Sequence, residues 1–163
     1  MRSMHTSFRS VGLRLESLSD RVVPSCTWTQ NGTTLTITGD QTANVVDIVD
    51  DGTTLTVTCD GQNVPINGNV TDLKISLGSG NDQVTYTLQG ALAANAVRNL
   101  DVHLGNGNDT FTAVLEDGTD SGGGTVASAL GDGAQLNISA YGMNGKDTLS
   151  FDGSSTDVGT GSK

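Results

Sequence analysis

The chain is poor in the residues that thicken a core and in those that interrupt strands. Aromatic residues make up 4% of its 163 positions, proline occurs twice, and charged side chains make up 16%. So few aromatics thin a core without abolishing it, because apolar residues remain evenly spread and strongly patterned. Basic residues are scarce too: eight against 18 acidic ones, for a net charge of −10. Arg2, Arg9, Arg14 and Arg21 account for half of the basic set, so the chain beyond them is more acidic still. Such a body repels nucleic acid and anionic lipid and attracts cations.

Long apolar runs are missing as well. No segment is long and apolar enough to span a membrane. The basic start is not followed by the apolar stretch of an ordinary secretory signal; "VGL" is the longest such piece near it. Cys26 and Cys59 are the two cysteines and form no CxxC pair, which argues against zinc or a thiol redox motif. A disulfide between them and two buried thiols are both compatible with the pattern. Groups for catalysis are few. His103 shares a strand face with Asp101 in "LDVHLG", which reads as an exposed polar pair rather than an acid/base dyad. Neither a Gly-x-Ser-x-Gly elbow nor a phosphate loop is present, so no enzyme is expected.

What the chain has is Gly, of which there are 22, together with Thr, Ser, Asn and Asp, the residues of strands and turns. Leu35 and Ile37 alternate with Thr34, Thr36 and Thr38, and Leu55, Val57 and Cys59 with Thr54, Thr56 and Thr58. The same period of two runs through Leu73–Leu77, Val84–Leu88, Leu100–Leu104 and Leu136–Ala140. These are half-buried strands with a polar outer face. "ALAANAVRNL" (91–100) reads as a loop or one turn.

Repeats organise the strands. "NGTTLTITGD" (31–40) aligns with "DGTTLTVTCD" (51–60), and "LGSGNDQV" (77–84) with "LGNGNDTF" (104–111); "GMNGKDTL" (142–149) is a third, degenerate copy. Spacings of this kind point to stacked units that bury their faces against their neighbours. The expected fold is all-β, a short β-solenoid of stacked rungs. The alternative is a β-sandwich built from hairpins, for which Asp51-Gly52 supplies a good turn. The chain divides into a leader (1–25), a repeat β domain (26–152) and a flexible tail (153–163).

Two resemblances add to this. "LRLESLSDRVVPS" (13–25) resembles the short leader of exported and envelope proteins of planctomycete bacteria, matching it at Arg14, Leu15, Glu16, Leu18, Asp20, Arg21, Pro24 and Ser25, with Ser19 in place of the usual Glu. It implies an extracellular or cell-envelope location. "LGSGNDQVT" and "LGNGNDTFT" resemble the calcium nonapeptide of RTX proteins, Gly-Gly-x-Gly-x-Asp-x-apolar-x, except at Leu77 and Leu104. The resemblance implies calcium as a cofactor. Asp82, Asp109 and Asp147 would supply charge, and the backbones of Gly78, Gly80, Gly105 and Gly107 would supply carbonyl oxygens. In RTX domains the nonapeptides run in tandem, whereas here they stand singly. The same Asn and Asp residues serve equally well as an Asx-turn ladder that bonds nearby backbone. The expected function is a structural or interaction protein of the cell surface or matrix, with no nucleic-acid partner. The alternative is a carbohydrate-binding or carbohydrate-cleaving β-helix, for which Trp28, Tyr86, Phe111, Tyr141 and Phe151 are the aromatic supply.

Overall fold

The structure, a computed structural model, describes residues 26–116 and 130–153. The leader reading (1–25) and nearly all of the tail reading (153–163) lie outside the described residues. Within them the chain is all-β. The strands are β1 (Thr27–Asn31), β2 (Thr34–Thr38), β3 (Val45–Asp50), β4 (Leu55–Cys59), β5 (Gln62–Asn63), β6 (Asp72–Ser76), β7 (Gln83–Leu88), β8 (Val97–His103), β9 (Thr110–Leu115), β10 (Gln135–Tyr141) and β11 (Thr148–Asp152). They form two mixed sheets, ordered β1-β2-β6-β8-β10 and β11-β9-β7-β3-β4-β5, and neither closes into a barrel. Inward residues of both sheets meet in one core, a sandwich-like arrangement.

The period-two alternation decides which residues meet. Leu35, Leu73, Leu100 and Ile138 stand in one column across the first sheet, and Ile37, Ile75, Val102 and Ala140 in the next. Val46, Val84, Phe111 and Leu149 form a column of the second sheet, beside Ile48, Tyr86, Ala113 and Phe151. All these pairings are parallel and in register. β2 with β3, β6 with β7, β8 with β9 and β10 with β11 therefore make four tiers, each with one strand per sheet. A slip by one residue would turn every apolar side chain outward, so the core itself enforces this register.

The twenty-residue repeat has a different meaning from the one expected. β2 and β4 carry its two copies yet lie in different sheets. β4 is the return arm of a hairpin, antiparallel to β3, so Cys59 faces Val46 rather than stacking on Gly39. The hairpin turns at residues 51–54, where Asp51 Oδ1 accepts the N–H groups of Thr53 and Thr54. Residues 91–96 make the expected loop and turn, but β8 already begins at Val97, within the segment read as loop.

Cys26 and Cys59 are joined by a disulfide, with Cα atoms 6.1 Å apart. Cys26 immediately precedes β1 of the first sheet, and Cys59 ends β4 of the second. The bond therefore fastens the two sheets together at the first tier.

A polar cluster is buried at the side of the core where the chain passes from one tier to the next. Asp50, at the end of β3, is fully buried, and Arg98 of β8 is 4% exposed. Arg98 Nε donates to Asp50 Oδ2 (2.7 Å) and Nη2 to Oδ1 (3.1 Å), while Nη1 donates to the Val70 carbonyl. The Tyr86 hydroxyl donates to Asp50 Oδ2 (2.9 Å) and the Gly52 N–H to Oδ1 (2.9 Å). Burial, with the Asp50 charge beside it, pushes the Tyr86 phenol well above its ordinary pKa, which keeps it a proton donor. The cluster ties the first three tiers together through side chains.

A carboxylate column as candidate cation site

Four corners of equal length carry the chain from the first sheet to the second: residues 39–44, 77–82, 104–109 and 142–147. The last three are the three cassettes. The structure stacks them, pairing Ser79 with Asn106 and Asn106 with Asn144 as isolated parallel bridges. Backbone bonds run between them: Asn106 N–H to the Gly78 carbonyl (2.8 Å), Gly80 N–H to the Asn106 carbonyl (2.9 Å), Asn144 N–H to the Gly105 carbonyl (3.2 Å) and Gly107 N–H to the Asn144 carbonyl (2.8 Å).

Stacking at this distance explains the glycines. A Cβ on Gly107 would fall on the Gly80 carbonyl oxygen, and one on Gly145 on the Gly107 carbonyl oxygen, far inside contact distance. Gly107 also has φ +151°, a backbone conformation that side chains resist. The carbonyls of Gly80 and Gly107 thus point along the stack at the next glycine.

The carboxylates form a column at the base of the corners. The Asn44 N–H donates to Asp82 Oδ1 (2.8 Å), the Asp82 N–H to Asp109 Oδ1 (2.8 Å) and the Asp109 N–H to Asp147 Oδ1 (3.1 Å). The partners are 38, 27 and 38 residues apart. Beside it an amide column runs the other way: Asn108 N–H donates to Asn81 Oδ1 (2.9 Å), and Lys146 N–H to Asn108 Oδ1 (3.0 Å). An Asx ladder was one of the two readings of this motif. Its bonds go between tiers rather than within one turn. Each carboxylate holds the backbone of the preceding tier, and each amide that of the following one.

One oxygen of each inner carboxylate is left over. Asp82 is 2% exposed and Asp109 1%, and Oδ2 of each is buried without a hydrogen-bond partner. Burial raises the pKa of Asp82 above its ordinary value. The bond from the Asn44 N–H opposes this, and the negative charges of Asp109, Asp40 and Asp60 add to it. A carboxyl that binds its proton more tightly when folded stabilises the fold fully below its unfolded pKa, and that contribution is lost as pH rises through the folded pKa. In chelator, the parent protein should therefore gain more stability than Asp82→Asn between neutral pH and about pH 4. Paired denaturant melts along that range check this, and parallel curves for the two proteins would count against it.

The donor set fits a hard cation in kind. Calcium takes six to eight oxygens, and a carbonyl that accepts one N–H keeps a second lone pair for a metal. Among the described residues, Asp82 Oδ2 and Asp109 Oδ2 are the buried carboxylate oxygens without a hydrogen-bond partner. Asp147 Oδ1 holds the Asp109 N–H, and Gly78 and Gly105 keep their second lone pairs. The three carboxylates stand in file, however, and do not converge in a cage. The compact group of acidic and sulfur donors among the described residues is Cys26, Cys59 and Asp60, and its two sulfurs are bonded to each other.

Asn44 is the member of the column that cassette matching misses. "GDQTAN" has no Gly-x-Gly-Asn-Asp signal, and only its distance between two strands places it. Far from the corner in character, His103 Nε2 lies 3.2 Å from Asp101 Oδ1 with both side chains about half exposed, and its ring stacks on Tyr141 with centroids 4.9 Å apart. No family model, curated protein or solved structure matches this chain.

Proposed function

We propose that this chain is a structural β-repeat protein of the cell exterior or envelope, a short solenoid that presents its outer faces to surface or matrix components. The in-register parallel pairing in both sheets supports reading the four tiers as rungs. The leader resemblance and the disulfide favour an oxidising location. We further propose that calcium stabilises the corner. The observation that carries this is the pair of buried, unpartnered oxygens on Asp82 and Asp109. The two carboxylates stand on adjacent tiers, and a divalent cation would relieve their repulsion and tie the tiers together.

The test is a thermal melt in chelator and in millimolar calcium, for the parent and for Asp109→Asn. Calcium at a hundred times its dissociation constant adds about 2.7 kcal/mol per site, several degrees for a domain of this size. Asparagine keeps the Oδ1 that receives the Asp82 N–H and removes the charge. Asp109→Asn should lose the calcium-dependent shift and, in chelator, melt at or above the parent. Equal melting of the parent in chelator and in calcium would remove the ion from the proposal and leave the column as a device for register.

The carbohydrate alternative has one patch in its favour, Asp101, His103 and Tyr141 on the outer face of the first sheet. A stacked ring beside polar groups is a usable sugar platform. Binding of soluble polysaccharide, lost in Tyr141→Ala, would support it; no binding would end it.

A further inference from the structure

The two ends of the stack are built differently. At the first tier the columns end under cover: Leu35, Ile37 and Val46 are fully buried. β1 lies antiparallel on β2, β4 and β5 extend the second sheet beyond β3, and the Gln30 side chain bonds the backbone of Asn67. At the fourth tier the same columns run out into solvent. Val46, Val84 and Phe111 are 0% exposed and Leu149 is 42%. Tyr86 and Ala113 are 0% exposed and Phe151 is 59%. Met143, in the corner that joins β10 to β11, is 66% exposed. β10 and β11 are also the last strands of their sheets, with no described strand on their outer edges.

We propose that this end is covered by a second copy of the chain, tier four against tier four. A two-fold axis normal to the sheets sets β10 antiparallel to β10 of the second copy and β11 antiparallel to β11. One contact then satisfies both open edges and buries the exposed apolar residues together. Charge selects this axis. It lays the corner that bears Lys146 over the opposite end of the second copy's tier, where exposed Asp132 precedes β10, and it does so twice. An axis along the strands would set Lys146 against Lys146. Because the first-tier end presents no bare core among the described residues, the assembly closes at two copies and does not grow into a fibre.

The experiment is sedimentation of the full chain over a concentration series, in chelator and in calcium alike, which separates this proposal from the metal. A dimer is expected in both. Phe151→Lys and Lys146→Glu should each weaken it by roughly tenfold or more, and Asp132→Lys combined with Lys146→Glu should restore it. Hydrogen exchange should show the outward amides of Leu136, Ile138, Ala140, Leu149 and Phe151, which alternate with those bonded to the third tier, protected in the parent and open in Lys146→Glu. Three outcomes would overturn the proposal: a monomer at every concentration, as when the chain's own remaining residues cover the edge; growth beyond two copies; or a dimer indifferent to all three substitutions.

Discussion

Gly107→Ala is expected to cost about 3 kcal/mol or more, a large part of the stability of an ordinary domain. Two penalties combine in it. The backbone at φ +151° is one that alanine resists, and the new methyl meets the Gly80 carbonyl, a backbone atom that cannot turn aside. Relief requires tiers two and three to part at the corner, which stretches the bond from the Asp82 N–H to Asp109 and those made by the Asn106 backbone. Gly61→Ala is the control. Gly61 also has a positive φ, +73°, but open space where the methyl would go. Its cost should be about 1 kcal/mol, the conformational part alone. Urea melts of the two variants measure the difference. Equal losses would show that close approach of the corners is not what demands glycine.

The second large effect belongs to Arg98. Arg98→Met should destabilise by about 3–5 kcal/mol, because it strands the fully buried Asp50 carboxylate without its counter-charge. The pair is not thereby a large net source of stability. Asp50→Leu combined with Arg98→Met should recover much of the loss, since a packed apolar pair avoids the desolvation of two ions. Tyr86→Phe removes one of the bonds to Asp50 and should cost about 1–2 kcal/mol. Denaturant unfolding of Arg98→Met, Asp50→Leu and the double variant forms the cycle, with Tyr86→Phe measured beside it. A single Arg98→Met loss under about 1 kcal/mol would mean that water or another donor reaches Asp50.

Much of the strand layout was legible because half-buried strands write their burial into every second residue. Leu73, Ile75, Val84, Tyr86, Leu100 and Val102 are all core residues, as their alternation requires. The cassettes were legible as corners for a similar reason: glycine at fixed offsets before an aspartate has few other uses. Three things were not legible. The likeness of "NGTTLTITGD" to "DGTTLTVTCD" reflects two strands of similar local chemistry, and periodicity alone cannot tell stacking from a hairpin return. Arg98, in an alanine-rich segment, carries no local sign of its burial, because its partner Asp50 is 48 residues away. Asn44 belongs to the carboxylate column without carrying a charge. In each case the deciding contact is long-range, and local pattern holds no record of it.

The equal corners and the unequal returns divide the molecule into two margins with different obligations. On one, every crossing has the same length and its glycines admit no side chain. On the other, β3 leads to β6 through the hairpin of β4 and β5, β7 leads to β8 through residues 89–96, and β9 leads to β10 through residues 116–134. Extra length there adds only loop-closure entropy, about 0.6 kcal/mol for each doubling. One margin acts as a ruler, fixing the pitch of the stack. The other varies in length between a few fixed contacts, where Gly52 and Gly90 leave no room for a side chain against the facing backbone and Leu92 pairs with Leu130.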